Sequence, residues 1–240
     1  MNDNNDILGK ALKSYYFEND KDKLWILSDI MEEDEMPITH YFRGIKSMSN
    51  IELIALKHCR GKVLDIGAGA GSHALELQKS GKDVTALDIS EGCIEVMKSR
   101  GVKSVINSDI LEFDNGRYDT ILLLMNGIGL SGELSNLKNL LIKLKSLLNK
   151  GGQIIFDSSD ISYLYKSEDG SIMIDLNADY YGELNYCFTY KGIKGNWFKW
   201  LYIDEDLMKN HSIEAGFEME VLYRGENSDY LARLTIIKQP

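Results

Sequence analysis

The chain has 240 residues, which is enough for one well-packed domain with an additional lobe. Its 44% hydrophobic and 27% charged residues are typical of a globular protein, and no apolar run approaches the ~20 residues that cross a bilayer. The 37 Asp and Glu residues outnumber the 27 Lys and Arg residues, for a formal net charge of −10. Such a surface repels polyanions, so we expect no nucleic-acid partner. Because no apolar run is long enough, we also expect no membrane protein.

The N-terminus and the cysteines indicate the cellular location of the protein and its disulfide and metal content. The first residues are polar and acidic and lack the basic start and apolar centre of a secretory signal, so we expect a cytoplasmic protein. Cys59, Cys93 and Cys187 are odd in number and widely separated, which fits neither a disulfide framework nor a zinc site. We predict that each is a small core residue and that the chain holds no metal.

Apolar side chains recur at helical spacing over residues 5–33. This pattern predicts one or two amphipathic helices, the second of them running from Leu24 to Met31. The acidic run "MEEDE" at 31–35 is interpreted as a solvated helix end.

Strand and helix patterns alternate between residues 63 and 157. Single helical segments, closed by glycines such as Gly81 and Gly101, separate the apolar runs. The predicted strands are "KVLDIG", "DVTALDIS", "VKSVINSDI", "YDTILLLMN" and "QIIFDSSD". Near-continuous apolar strands are typical of a parallel sheet covered on both faces, and right-handed crossovers make such a sheet doubly wound.

The pattern changes after residue 158. In "ELNYCFTYKGIKGNWFKWLYID" apolar residues alternate with period two around a glycine-bearing turn, which predicts an antiparallel hairpin. A helix and two closely connected final strands follow. The predicted fold class is α/β: a doubly wound, mostly parallel seven-stranded sheet with an antiparallel last strand, N-terminal helices and an inserted antiparallel hairpin lobe.

Three glycines at alternate positions connect the first strand of the core to its helix. Gly67, Gly69 and Gly71 follow Asp65 in "VLDIGAGAG" and lead into a helix N-terminus. In a doubly wound sheet, ligands bind at the carboxyl ends of the strands. Backbone without side chains lets a ligand approach closely and offers N–H donors, so we predict a nucleotide ligand here.

Acidic residues close the next two strands. Asp88 ends the second strand, where a carboxylate can take up ribose hydroxyls, and Asp109 ends the third, where it can accept from an adenine amino group. Residues 69–74 also satisfy the dinucleotide pattern Gly-x-Gly-x-x-Gly/Ala, so a NAD(P)-binding oxidoreductase is an alternative. Three features favour another nucleotide: the motif begins earlier, at Asp65, an acidic residue recurs after strand three, and no second mononucleotide half follows.

Together these motifs resemble those of the class I S-adenosylmethionine-dependent methyltransferases. The resemblance covers roughly residues 45–237, and the motifs occur in the family's order: "VLDIGAGAG", "ALDIS", "NSDI", "YDTILLLMNGIGL" and "LLNKGGQIIFD". It implies a Rossmann-like methyltransferase fold, S-adenosylmethionine as cofactor and S-adenosylhomocysteine as product. It also implies an enzyme in which a methyl group moves by in-line displacement.

The resemblance also implies particular cofactor contacts. The residues concerned are Asp65, Gly67, Ala68, Gly69, Gly71, Asp88, Ile89, Asp109, Ile110, Met125 and Asn126. The glycine backbone would lie under the methionine moiety, with Asp65 orienting the loop or receiving the ammonium group. Asp88 would hold both ribose hydroxyls, Asp109 and the two isoleucines would contact the adenine, and Met125 and Asn126 would face the sulfonium.

Catalytic residues are harder to name, because methyl transfer needs a general base only when the nucleophile must lose a proton. His73 in the first helical turn, Tyr41 in "PITHYFRG" and Asn126 after strand four are the candidates. Arg43, just ahead of the core, is a candidate partner for the cofactor carboxylate or for an acidic substrate.

The expected acceptor is a small molecule. The fourth motif continues as Asn-Gly-Ile-Gly from Asn126, and not as the Asp/Asn-Pro-Pro-aromatic motif of the family's nucleic-acid amino-methylating enzymes. Substrate contacts are expected from the N-terminal helices, the 126–132 loop and the aromatic insertion. Methylation of protein or RNA and a non-catalytic S-adenosylmethionine-binding module are alternatives, and the oligomeric state is open.

We expect four parts along the chain. Residues 1–45 are predicted to form a helical cap and residues 46–157 the cofactor-binding core. Residues 158–202 are predicted to form the inserted substrate lobe, and residues 203–240 a helix and two strands that complete the core sheet.

Overall fold

The computed structural model describes residues 6–167, 171–173 and 179–237, which form two β-sheets with flanking helices. The helices are Ile7–Glu18 (α1), Asn50–His58 (α2), Ser72–Lys79 (α3), Glu91–Arg100 (α4), Leu134–Ser146 (α5) and Glu205–Glu214 (α6). The strands are Leu24–Ser28 (β1), Asp34–Met36 (β2), Lys62–Ile66 (β3), Asp83–Asp88 (β4), Val105–Asn107 (β5), Tyr118–Leu123 (β6), Leu148–Ser159 (β7), Glu183–Tyr190 (β8), Ile193–Lys194 (β9), Phe198–Leu201 (β10), Phe217–Arg224 (β11) and Asp229–Ile236 (β12).

The central sheet has seven strands in the order β11-β12-β7-β6-β3-β4-β5. Strands β3 to β7 pair in parallel, whereas β12 is antiparallel to both β7 and β11. The predicted doubly wound, mostly parallel sheet with an antiparallel last strand is confirmed. Its strand order reverses between β3 and β6, which makes the carboxyl ends of these strands the expected ligand edge.

The apolar strand β6 shows why this sheet is covered on both sides. Ile121 and Leu123 pack in a core cluster with side chains of α5, whereas Leu122 belongs to a second cluster with side chains of α2 and α3. All three residues are fully buried. Burial of such a side chain contributes about 1.5–3 kcal/mol, so β6 anchors both helical layers to the sheet.

The second sheet is antiparallel, in the order β10-β8-β1-β2 with β9 paired to β8. The predicted hairpin strands β8 and β10 pair as expected, with Phe198 opposite Tyr186. Between β8 and β2, however, lies β1 from the N-terminal segment, with Ile26 opposite Phe188. The insertion and the N-terminal segment therefore build one sheet together.

The predicted second helix from Leu24 to Met31 and the helix end at 31–35 are wrong. Leu24–Ser28 is a strand, and the acidic run leads into strand Asp34–Met36. A short apolar run fits either helical or strand spacing, and hydrogen bonding to the distant strand β8 decides the outcome. The division of the chain into four parts stays a prediction.

Helices α1 and α4 touch through two glycines beneath the end of β4. Asp6 caps α1 by accepting from Gly9 N at 3.0 Å, and the same carboxylate accepts from Ser90 Oγ at 2.8 Å and from Gly92 N at 3.0 Å. A Cβ at Gly92 would lie 2.6 Å from the backbone of Gly9. The close approach lets one carboxylate serve the N-termini of both helices.

The three cysteines are buried and free, as predicted for core residues. Within the described ranges, the helices lack the length and apolarity that spanning a membrane requires.

Replacing Gly92 with alanine tests the contact between the two helices. Alanine has the higher helix propensity, which by itself would stabilise α4 by up to about 1 kcal/mol. Because the new methyl would clash with the Gly9 backbone, we expect instead a loss of about 1–3 kcal/mol in the free energy of unfolding, measured by urea denaturation. Gly44→Ala is the control, since its added carbon would meet Glu76 Oε1 at an ordinary 3.6 Å. Unchanged or increased stability of Gly92→Ala would contradict the contact.

Candidate cofactor and acceptor site

A cavity of about 390 Å³ lies where the ligand edge of the central sheet meets the second sheet. Its lining combines backbone and side chains that follow β3, β4, β5 and β6 with side chains of β1, β2, β8 and β10. The volume lies in the range typical of small-molecule sites. A smaller pocket of about 30 Å³ adjoins it and shares the Gly67, Gly69 and Met125 portion of the lining.

The glycine loop reaches this cavity with its backbone. Gly67, Gly69 and Gly71 all have positive φ, a region that other residues rarely occupy. The N–H groups of Gly67 and Ala68 donate to the Leu87 carbonyl at 2.9 and 3.2 Å, which fixes the loop against β4. The loop therefore presents main chain to the cavity in a fixed shape.

Asp88 lies at the end of β4, in the cavity lining and almost completely buried. Its carboxylate accepts from Gly69 N at 2.8 Å and from Ser90 N at 2.9 Å. Burial raises the pKa of Asp88 to about 6, even though both backbone hydrogen bonds act in the opposite direction. A carboxylate held in this way has lone pairs left for further donors.

Ile89, Asp109 and Ile110 line the same side of the cavity. Asp109 Oδ1 accepts from Leu111 N at 2.8 Å, which orients this carboxylate. Ile110 is part of the core, whereas Ile89 is 47% exposed and offers apolar surface to a ligand. The structure thus brings these predicted residues together with Asp88.

Asp65 is buried in the wall of the smaller pocket. Its Oδ2 has no hydrogen-bond partner within the described part of the chain. Burial raises the pKa of Asp65 to about 6, opposed by the nearby His73. A buried carboxylate oxygen without a partner is costly, and a cationic donor in the pocket would satisfy it.

Glu52 holds two residues of the smaller pocket's lining, Arg43 and His73, and sequence reasoning missed this role. Its Oε1 lies 2.6 Å from His73 Nε2, and both carboxylate oxygens accept from the Arg43 guanidinium. The spacing from Ser49 to Glu52 indicates a capping box, which the structure contains. That spacing reveals a helix start, but it does not reveal the ion pairs.

The pKa of Glu52 reflects these partners. Burial by itself would raise it, but hydrogen bonds from His73, the Ser49 backbone and Arg43 outweigh burial and lower the pKa to about 2. Arg43 also donates to the His40 carbonyl. Both Arg43 and His73 therefore reach the smaller pocket as partners of one carboxylate.

Met125 and Asn126 form a tight turn after β6, and both have positive φ, at 63° and 54°. Asn126 N donates to both oxygens of the buried Asp157, at 3.1 and 3.0 Å, and Asn126 Oδ1 accepts from Ser159 Oγ at 3.1 Å. Two consecutive residues in this region are strained, and they persist where surrounding contacts hold them. The turn directs Met125 into the cavity lining.

Tyr41 lines both compartments. A Cβ at Gly69 would lie only 3.1 Å from its ring, so the glycine lets the ring pack on the loop. Burial raises the pKa of Tyr41 above its ordinary value, which keeps the phenol protonated.

Within the described residues, no group of three His, Cys, Asp or Glu side chains is positioned to hold a metal ion.

Comparisons with known proteins identify the family. A family model described as a methyltransferase domain matches residues 63–152. The solved structure of a SAM-dependent methyltransferase from Bacteroides fragilis, in complex with S-adenosyl-L-homocysteine, is 42% identical, with a TM-score of 0.92 over 98% of this chain and 96% of that one. The chain belongs to the SAM-dependent methyltransferases. S-adenosylmethionine is therefore the cofactor of this methyltransferase, and its Gly-rich loop is not that of a NAD(P) oxidoreductase.

More distant structures resemble the methyltransferase in fold alone. The CcbJ methyltransferase from Streptomyces caelestis is 14% identical, with a TM-score of 0.59 over 78% of this chain and 89% of that one. The sugar N-methyltransferase KedS8 from Streptoalloteichus sp ATCC 53650 is also 14% identical, with a TM-score of 0.57 over 85% of this chain and 94% of that one. A comparison with curated proteins gives no match.

Replacing Glu52 with glutamine in the methyltransferase should lower the free energy of unfolding by about 2–3 kcal/mol at pH 7, because Arg43 loses its buried counter-charge. The folded-state pKa of about 2 lies below the ordinary value near 4.3, so this stabilisation is present above about pH 4.3 and is lost as the pH falls towards 2. Urea denaturation over this pH range should show the two proteins converging.

Glu95→Gln is the matched control, because Glu95 pairs with Lys13 on the exposed surface. An exposed pair contributes at most about 1 kcal/mol, so this variant should stay close to the parent protein. A constant difference between Glu52→Gln and the parent at every pH would contradict the ionised Glu52.

Proposed function

We propose that this methyltransferase methylates a small-molecule acceptor held in the cavity between its two sheets. The observation that carries the proposal is the second sheet, which covers the ligand edge and leaves a chamber of about 390 Å³. The cofactor occupies part of this chamber, so the remaining space suits a small acceptor, and the walls limit the access of water to the reacting groups. The acidic net charge also disfavours a nucleic-acid acceptor.

The cofactor contacts we propose follow the residues that line the two compartments. Asp88 accepts from the ribose hydroxyls, and Asp109 accepts from the adenine amino group, with Ile89 and Ile110 against the ring. The backbone of Gly67, Ala68, Gly69 and Gly71 supports the methionine moiety, while Met125 and Asn126 face the sulfonium. Gly71 and Asn126 lie next to this lining in the chain, and the other residues form part of it.

The methionine end of the cofactor fits the charges of the smaller pocket. The unpartnered Oδ2 of Asp65 suits an ammonium group. Arg43 uses three of its five N–H donors on Glu52 and on the His40 carbonyl, which leaves two for a carboxylate. We propose that Asp65 and Arg43 together bind the amino-acid part of the cofactor.

The chain's contribution to the reaction is alignment of the acceptor and exclusion of water. The bound cofactor supplies an activated methyl group. Tyr41 is held protonated, His73 contacts Glu52 in the smaller pocket, and the Asn126 side chain accepts from Ser159. Since none of these three candidates is placed as a free base in the main cavity, we propose that positioning is the principal catalytic effect.

Transfer of a labelled methyl group from S-adenosylmethionine tests the function directly. A metabolite extract incubated with the protein should gain label in small molecules, and prior treatment with nuclease and protease should leave the gain unchanged. Loss of the signal on either treatment would favour an RNA or protein acceptor. Absence of label from every pool would favour a non-catalytic binding module.

In the same assay, Asp88→Ala should abolish transfer and weaken S-adenosylhomocysteine binding by about 10- to 100-fold, the effect of losing hydrogen bonds to a charged group. Asp114→Ala, at an exposed position, should retain both properties. Unchanged cofactor binding by Asp88→Ala would contradict the assignment.

Proton release on ligand binding tests Asp65. Its pKa of about 6 means that the free carboxyl is about half protonated at pH 6, and a bound ammonium group favours the ionised form. S-adenosylhomocysteine binding at pH 6 should therefore release about half a proton more from the parent protein than from Asp65→Asn. At pH 8 the difference should vanish. Calorimetry in buffers of different ionisation enthalpy measures this quantity, and equal release at pH 6 would contradict the role.

A further inference from the structure

The second sheet presents an aromatic wall to the main cavity. Tyr186 and Phe188 lie two residues apart on β8, and Phe198 and Trp200 lie two residues apart on β10. All four side chains line the cavity. Their rings are in mutual contact, with centroids of Phe188 and Phe198 at 5.3 Å and of Phe198 and Trp200 at 6.2 Å. Because residues two apart on a strand share a face, these rings form one continuous surface, which we call the aromatic wall.

The segment after β6 adds further apolar side chains to the cavity. Met125 and Leu130, from the turn and loop after β6, line it and are each 37% exposed. Ile26 extends the aromatic wall on β1, where it pairs in register with Phe188. A ligand on the wall therefore meets apolar side chains of the second sheet and of the segment after β6.

Charge in the cavity is confined to the nucleotide side. Among the described residues that line it, the charged side chains are Asp88 and Asp109, at the ends of β4 and β5. Near the aromatic wall neither an acidic nor a basic group of the lining is available to a charged acceptor. Such an acceptor would lose hydration without gaining a counter-charge.

Tyr202 supplies a hydrogen-bond donor beside the wall. Its Oη accepts from Tyr186 Oη at 3.2 Å, so its own hydroxyl proton is not used in that bond. Burial raises the pKa of Tyr202, which keeps the hydroxyl protonated. Tyr202 lines the cavity and can donate to a polar atom of a bound acceptor.

We propose that the methyl acceptor is an uncharged, planar aromatic compound, with its ring on the aromatic wall and a polar atom that accepts from Tyr202. This assignment rests on the proposed function, since it names the substrate class of the same cavity. Aromatic rings in offset or edge contact gain free energy beyond that of burial, so the wall favours an aromatic ring over a saturated one of equal size.

Three probes built on the same fused two-ring framework test the proposal by calorimetry on the protein saturated with S-adenosylhomocysteine. They are 2-naphthol, its saturated counterpart decahydro-2-naphthol, and the cation 2-naphthylmethylamine. We expect 2-naphthol to bind about tenfold more tightly than either counterpart. Equal or tighter binding of the saturated alcohol or of the cation would overturn the proposal, as would no binding of 2-naphthol.

Two adjacent substitutions locate the binding site. Phe198→Leu removes a ring from the wall but keeps an apolar side chain, and should weaken 2-naphthol binding about fivefold. Trp197→Leu is the control, because Trp197 is 49% exposed and lies outside the described lining of the cavity. Equal affinity in both variants would overturn the assignment to the wall.

S-adenosylhomocysteine affinity, measured on the same samples, reports whether each variant is folded. If 2-naphthol binds as expected but no small molecule accepts a labelled methyl group, the proposed function fails while the wall keeps its assigned ligand class.

Discussion

The carboxylate of Asp88 is the point on which the geometry of the site depends. It accepts from Gly69 N in the glycine loop and from Ser90 N at the start of α4, so it joins the carboxyl ends of two adjacent strands. Ser90 in turn donates to Asp6, which caps α1. One series of hydrogen bonds thus connects the N-terminal helix to the glycine loop.

Three buried acids, Asp65, Asp88 and Asp157, each have a pKa raised to about 6 by burial, although the chain as a whole is acidic. Backbone N–H groups stabilise the latter two, whereas one oxygen of Asp65 lacks a partner among the described residues. Clusters of groups with displaced pKa values are typical of functional sites. In this methyltransferase Asp65 and Asp88 flank one glycine loop, so their negative charge is concentrated where we propose that the sulfonium cofactor binds.

The local pattern of the sequence predicted the central sheet and placed Gly67, Asp88 and Asp109 at its ligand edge, because strand ends and glycine loops are encoded by neighbouring residues. The cofactor contacts of these three residues stay a prediction. The same pattern did not predict strand β1 or the role of Glu52 beside the smaller pocket. Strand β1 is stabilised by pairing with β8, far away in the chain, and Glu52 gains its role from Arg43 and His73 across the pocket. Such long-range contacts leave no periodic signal in a single sequence.

The pairing of β1 with β8 also has a consequence for biosynthesis. Translation delivers β1 and its neighbour β2 long before β8, so one edge of an apolar strand emerges from the ribosome unpaired and is a potential aggregation site. Charged residues flank it on both sides, "KDK" at 21–23 and "EEDE" at 32–35. Charged residues beside an apolar strand oppose its aggregation, so the two flanking runs are suited to keep nascent copies of β1 apart.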